Sequence, residues 1–250
     1  MADIITYTKD YWQDLKEYTS ARIALGRAGG SLNTHEQLRL FRAHALARDA
    51  VHASMDEAIL QNTLSHHSLS FINLKTQAKD RKQFLLRPDW GRKLERESYN
   101  QVVQYHSDYD LSLIIGDGLS AKAIHAHVPG LFDALLPKLS IYRLSPVTLV
   151  QQSRVAVSDE IGEGFGSRLA VIFIGERPGL SASESLGIYL TYHPKKGLTD
   201  EKRNCISNVR PEGMPYNVAA DKLAYLIGES LRRKLSGVQL KDDLPISLEG

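Results

Sequence analysis

The chain has a single cysteine, Cys205, among its 250 residues. One cysteine excludes an internal disulfide and is compatible with the reducing cytosol. No apolar run approaches the roughly 20 residues that are needed to cross a bilayer, and no signal peptide is visible. The formal net charge is only +2, which gives no reason to expect nucleic acid or a membrane as a partner. These absences predict a soluble cytoplasmic protein.

The positive charge is concentrated near the start of the chain. Between Thr19 and His52 the arginines are Arg22, Arg27, Arg39, Arg42 and Arg48, and the acidic residues are only Glu36 and Asp49. Such a segment is either the solvated face of a helix or a docking surface for an acidic partner, because arginine is enriched at interfaces.

A long helix is predicted after Asn33, which has Glu36 three residues later in the form of a capping box. The segment from Thr34 to about Leu60 has no proline or glycine and is rich in alanine, leucine and arginine, which favours a helix. One stripe of this helix is predicted to be buried, and its members are Leu38, Phe41 and Ala45, continued by Met55 and Leu60.

The pattern changes near residue 107. Residues 1–106 indicate a mainly helical region without a convincing strand. Beyond them, the predicted strands are 111–115, 147–150, 169–174 and 186–192, and the last helix is 218–235. Strands that alternate with helices predict a mostly parallel sheet that is covered on both faces. We therefore expect an α/β protein with a helical region, 1–106, and a Rossmann-like domain, 107–250.

A glycine-rich turn follows the first of these strands. Gly116, Asp117 and Gly118 stand between a strand and a helix, which is the context of a dinucleotide fingerprint. The fingerprint also requires an acidic residue about 20 positions later to bind a ribose. No Asp or Glu occurs between Ala134 and Ser158, and the charge of Asp117 would face the pyrophosphate. A nucleotide-dependent oxidoreductase thus remains only as an alternative.

Glu176 follows the apolar, β-branched run Val171–Ile174 and precedes the turn at Pro178 and Gly179. The run is typical of a strand that is buried on both faces. Glu176 is therefore predicted at the carboxyl end of a parallel strand, where open α/β sheets bind ligands. It could contact a ligand there, or form a solvated ion pair with a nearby arginine.

Cys205 could act as a nucleophile, pack as a small apolar residue or contact a large ligand. A nucleophilic thiol needs a base or a cationic environment, and Arg203 can supply only charge. The nine histidines do not form a zinc-binding motif and no second cysteine is present, so a metal site is not expected.

Eight blocks stand in an order and spacing that together are specific: 19–29, 44–52, 87–92, 116–121, 152–157, 159–162, 171–180 and 203–208. In these blocks the chain resembles the small (light) subunit of ethanolamine ammonia-lyase, from about Thr19 to about Asp242. The start of the chain is expected to lack the longer leader of some members.

The resemblance implies a subunit of an adenosylcobalamin-dependent lyase that converts ethanolamine to acetaldehyde and ammonia. It implies a hetero-oligomer in which the large subunit performs the radical chemistry, so this chain is expected to hold no catalytic residue. The cobalamin contacts fall on Val155, Glu176 and Cys205, and the arginine-rich segment becomes a docking surface for the large subunit. Residence in a bacterial microcompartment is left open, and a ligand-free assembly subunit is a further alternative.

Overall fold

One sheet of six strands organises the chain. The computed structural model describes residues 10–19 and 21–241, so the expected short leader lies outside the described residues. The strands are β1 (Phe71–Lys75), β2 (Leu111–Gly116), β3 (Val147–Gln151), β4 (Leu169–Gly175), β5 (Leu186–Tyr192) and β6 (Arg203–Val209). The described helices are α1 (Thr34–His52), α2 (Glu57–His66), α3 (Arg81–Leu86), α4 (Arg96–Gln104), α5 (Ala121–Leu135), α6 (Val157–Phe165) and α7 (Tyr216–Arg233). The predicted α/β class is confirmed, and none of these helices is long and apolar enough to cross a membrane.

The sheet is mixed, whereas a mostly parallel sheet was expected. Its order is β1-β3-β2-β4-β5-β6. The pairings among β1, β3, β2 and β4 are parallel, and those of β4 with β5 and of β5 with β6 are antiparallel. Parallel neighbours need a long crossover, which α5 and α6 provide between β2, β3 and β4. Loops 176–185 and 193–202 hold no such helix, so the chain returns antiparallel after β4 and again after β5.

Helices cover the two faces of the sheet unequally. On one face, α2, α5 and α7 pack on a hydrophobic cluster that extends from β2 to β6. On the other face, α4 and α6 pack mainly on β1, β2 and β4. Tyr189 of β5 is half-buried on this second side, and its register partner Cys205 of β6 is exposed. We call the α6 side of β5 and β6 the open face.

Strand β1 contradicts the expectation that residues 1–106 contain no strand. It pairs in parallel with β3 at the edge of the sheet. Its five residues have alternating burial, and the polar side chains of Asn73 and Lys75 point away from the core. A strand this short, with two polar residues, carries little periodicity, so only its pairing identifies it.

The predicted long helix is two helices. Asn33 begins α1 as expected, because its side chain accepts a hydrogen bond from the Glu36 N–H at 2.9 Å. The helix ends at His52, and the Asp56 carboxylate then caps α2 by accepting from the Ala58 N–H at 3.0 Å. Separate capping residues therefore interrupt a segment whose composition favours one continuous helix.

The predicted buried stripe is correct only in its second part. Met55 and Leu60 are buried, whereas Leu38 and Phe41 are 60% and 58% exposed. In the described part of the chain, the only buried residues of α1 are Glu36 and Ala50. The expectation of burial was wrong for α1 because no described element packs on its apolar stripe.

A buried ion pair joins β6 to α6. The Arg203 guanidinium donates to both oxygens of Asp159, at 2.6 and 2.8 Å, and also to the Thr191 hydroxyl at 3.0 Å. The Arg203 and Asp159 side chains are 2% and 3% exposed. Burial raises the pKa of Asp159, which the adjacent guanidinium opposes. Strand β6 is thereby held against α6 at its first residue.

Candidate functional site

Glu176 lies where β4, β5 and β6 meet at one edge of the sheet. Strand β4 ends at Gly175, and the antiparallel β5 begins at the same edge. The Ser185 hydroxyl donates to Glu176 Oε2 at 2.6 Å, and the Asn208 N–H donates to both carboxylate oxygens at 3.3 Å. The predicted position at a carboxyl edge is confirmed. Among the described residues, no arginine pairs with Glu176, so the ion-pair alternative is not supported.

The open face continues from Glu176 across β5. A Cβ atom on Gly187 would lie 3.1 Å from Glu176 Oε1 and 3.2 Å from the Tyr189 ring, so glycine keeps the carboxylate against the strand. Tyr189 is in register with Cys205 across β5 and β6. Glu176 and Cys205 are distant in sequence, and the antiparallel pairing brings them onto one surface.

Val155 borders the same surface from the other side. It begins the turn into α6, where its carbonyl accepts from the Ser158 hydroxyl at 2.8 Å. Val155 and Tyr189 are both half-buried and pack against the same hydrophobic cluster. The structure therefore places Glu176 and Cys205 on the open face and Val155 on the same side of the sheet. Whether they bind a cofactor stays a prediction.

The Cys205 thiol is poorly suited to nucleophilic chemistry. Desolvation by surrounding protein atoms raises its pKa, and the nearby Glu176 carboxylate raises it further. The hydrogen bond with Tyr189 and the charge of Lys222 lower the pKa, but burial outweighs them. Reactive thiols have lowered pKa values and a cationic or basic neighbour. Arg203 does not serve as that neighbour, because its guanidinium is bound to Asp159. The open face thus presents Cys205 as a protonated, weakly polar contact surface.

The glycine turn after β2 is filled by the protein itself. The buried Asp117 carboxylate accepts from the Gln152 and Ser153 N–H groups, each at 2.9 Å. The Leu119 N–H donates to the Gly175 carbonyl at 2.9 Å, and Gly118 has a φ of +54° with β4 directly behind it. A pyrophosphate would need free backbone donors at this turn. Because described groups already use the Leu119 donor, and a carboxylate stands beside it, the structure disfavours dinucleotide binding.

The neighbours of Glu176 were not predicted. The sequence pattern predicts Gly187 and Tyr189 only as part of a strand and gives no role to Ser185, and it predicts no strand where β6 lies. The alternation in Leu186–Tyr192 assigns Tyr189 to one side of β5. Which residue of β6 lies opposite Tyr189 depends on the register of the two strands, and a bulge near Leu186 shifts that register.

Over residues 10–19 and 21–241, these features define an α/β protein with a sheet surface that no described helix covers, and with a carboxylate at the strand edge beside it. Residues 9–241 match the family described as Ethanolamine ammonia-lyase light chain (EutC). The chain therefore belongs to the ethanolamine ammonia-lyase light-chain family.

Named relatives are similar over almost the whole chain. The Ethanolamine ammonia-lyase small subunit of Azotobacter vinelandii is 49% identical, and the match covers 99% of this chain and 94% of the relative. The protein of the same name from Ralstonia nicotianae is 48% identical over 97% of this chain and 92% of its own length. That of Xanthomonas campestris pv. campestris is 46% identical over 100% and 94%.

Proposed function

We propose that this chain is the small subunit of an ethanolamine ammonia-lyase, acting with a large subunit and adenosylcobalamin to convert ethanolamine to acetaldehyde and ammonia. The observation that carries the cofactor assignment is Glu176, a half-buried carboxylate on the open face that it shares with Cys205, with Val155 on the same side of the sheet. Adenosylcobalamin supplies the radical chemistry when it is bound. This chain contributes binding, orientation and exclusion of water.

The open face fits a corrin in its chemistry. The periphery of a corrin carries amide groups, whose N–H donors need acceptors. Glu176 can accept at about four positions, and Ser185 and Asn208 use at most three of them. Gly187 adds no side chain above the strand, and Cys205 and Tyr189 offer weakly polar contacts. The parallel strands β1 to β4, with α5 and α6, would form the Rossmann-like part beside this surface.

The first test is ethanolamine-dependent release of acetaldehyde after co-expression with the large subunit. We expect activity only when both chains and adenosylcobalamin are present. A small subunit that forms the complex but is dispensable for both activity and cofactor binding would contradict the proposed function.

Replacing Glu176 by alanine is expected to weaken adenosylcobalamin binding to the assembled complex by about ten- to a hundredfold. The reason is the loss of one charge-assisted hydrogen bond, worth roughly 1.5–3 kcal/mol. Equilibrium dialysis measures this dissociation constant. Glu176→Gln keeps one acceptor oxygen and should lose less.

Glu184→Ala, in the same loop, serves as the matched control and should leave the affinity unchanged. An unchanged dissociation constant in Glu176→Ala, with assembly intact, would instead favour the ligand-free assembly subunit.

The docking role proposed for the N-terminal region rests on exposed apolar side chains among arginines. Leu38 and Phe41 of α1 are exposed beside Arg39 and Arg42. A cavity of about 550 Å³ lies next to this stripe and is lined by both basic and apolar side chains: Lys16, Arg22, Arg39, Arg42, Ile23, Leu46 and Leu180. Apolar patches rimmed by charge are typical of interaction sites, so we assign this surface to the large subunit.

Phe41→Asp is expected to weaken association of the two subunits by about ten- to a hundredfold. The variant loses an aromatic side chain whose burial in the interface would contribute roughly 1.5–3 kcal/mol. Co-purification at graded concentrations, or analytical ultracentrifugation, measures the loss. Ile141→Asp changes a residue that is 81% exposed elsewhere and should assemble normally. Equal assembly of both variants would rule out a docking role for this stripe.

Location in the cytoplasm, or in a bacterial microcompartment, stays a prediction.

A further inference from the structure

Four arginines gather at the carboxyl edge of the sheet, beside the open face. Arg154 follows β3 and Arg177 follows β4, each adjacent in sequence to a predicted cobalamin contact, Val155 or Glu176. Burial lowers the pKa of Arg154, and the positive charges of Arg81, Arg92 and Arg177 lower it further. Four guanidinium groups are therefore close together at this edge, which also holds the Glu176 carboxylate.

The Asp117 carboxylate offsets part of the positive charge around Arg154. Its two oxygens already accept from the Gln152 and Ser153 N–H groups, and its closest arginine is Arg81, at 3.7 Å. Within residues 10–19 and 21–241, no ion pair is formed by Arg92, Arg154 or Arg177. The cluster thus carries more positive charge than the described groups neutralise.

The position of Arg154 is held by packing. Its guanidinium stacks on the Phe84 ring at 4.3 Å, and the Arg81 guanidinium contacts the same ring at 4.7 Å. The backbone N–H of Arg154 donates to the Gly91 carbonyl at 2.7 Å. Yet Arg154 Nε is buried and has no hydrogen-bond partner. Among the described residues, the Arg154 guanidinium forms no hydrogen bond or ion pair, so its terminal N–H groups are available to an anion.

We propose that Arg154, flanked by Arg92 and Arg177, binds the phosphodiester group in the nucleotide loop of adenosylcobalamin. A guanidinium matches the geometry of phosphate oxygens and binds them more strongly than it binds neutral acceptors. The corrin amides are neutral, so the phosphodiester is the part of the cofactor that a cluster of guanidinium groups recognises. Glu176 would accept from the amides while the arginines bind the anion. Because the ligand is the one in the proposed function, this assignment rests on that function.

The test compares three cobalt corrinoids on the complex of small and large subunits. Adenosylcobalamin has the phosphodiester, adenosylcobinamide phosphate has a phosphate without the base, and adenosylcobinamide has neither. Dissociation constants are measured by equilibrium dialysis and corrin absorbance, without turnover. Arg154→Gln should weaken the two phosphate-bearing ligands by about tenfold or more and leave adenosylcobinamide unchanged. Arg154→Lys should retain part of the affinity.

Two further variants distinguish loss of phosphate binding from misfolding and from the loss of any stacked arginine. Arg92→Gln combined with Arg177→Gln changes only exposed side chains, so it should fold normally and show the same ligand-selective loss. Arg143→Gln removes a guanidinium that is also stacked on an aromatic ring, Tyr109, and should bind all three corrinoids normally.

The outcomes separate the phosphate site from the proposed function. If Arg154→Gln weakens all three ligands equally, or weakens subunit association instead, the arginines contact the corrin or an acidic group of the large subunit, and the phosphate assignment is wrong. If the unmodified complex binds none of the corrinoids, the cofactor assignment itself fails.

Discussion

Replacing Arg203 by methionine is expected to lower the free energy of unfolding by about 3–5 kcal/mol, the usual cost of leaving one buried charge unpaired. The guanidinium is bidentate to Asp159, and both side chains are almost fully buried. Chemical denaturation of the purified chain measures the change. The double variant Arg203→Met with Asp159→Leu should recover most of the stability, because no charge is then left buried. Equal losses in the single and double variants would show that packing, and not the ion pair, is responsible.

The deficit of Arg203→Met should also depend on pH. Burial already raises the pKa of Asp159, and the guanidinium that opposes this effect is lost in the variant. A carboxyl whose folded-state pKa is raised binds its proton more tightly in the folded state, so stability falls as pH increases through that pKa. The variant should accordingly be closer to the unmodified chain near pH 5 than near pH 8. A pH-independent deficit would contradict an uncompensated charge on Asp159.

Replacing Asp117 by alanine is expected to destabilise the chain by about 2–6 kcal/mol, since two N–H groups at the end of β3 each lose an acceptor worth roughly 1–3 kcal/mol. The carboxylate joins the end of β2 to Gln152 and Ser153. Thermal or chemical denaturation measures the loss. Ser153→Ala is the matched control, because it removes only the hydroxyl donor at 3.2 Å and should cost about 0.5–1.5 kcal/mol. Comparable losses in the two variants would show that the backbone bonds contribute little.

The same result would bear on function. The Asp117 carboxylate joins the end of β2 to the segment after β3 that carries Arg154, and it lies 3.7 Å from the Arg81 guanidinium. A residue that resembles part of a dinucleotide fingerprint therefore acts here as an internal clamp. The same carboxylate that disfavours a pyrophosphate at this turn accepts hydrogen bonds from the Gln152 and Ser153 N–H groups, directly after β3.

Much of the sheet could be predicted because the central strands are locally distinctive. Strands β2, β3, β4 and β5 lie within a residue or two of their predicted ranges, since each is a short apolar run bounded by turn residues. Strands β1 and β6 were missed. β1 is a short edge strand. β6 is rich in polar residues: Cys205 and Ser207 are exposed, and Asn204 on the opposite side donates to the Gly237 and Leu240 carbonyls. No local pattern distinguishes such a strand from a polar loop.

By itself, the sequence determined the α/β class, the cap at Asn33 and the position of Glu176 at a strand end, because these depend on periodicity and on residues that are near neighbours in the chain. Only the tertiary structure decided that Glu176 and Cys205 share one surface, that Arg203 is neutralised by Asp159, and that Phe41 is exposed. Each of these depends on strand register or on what packs against a face. Both are set by contacts between distant residues, so a local pattern cannot specify them.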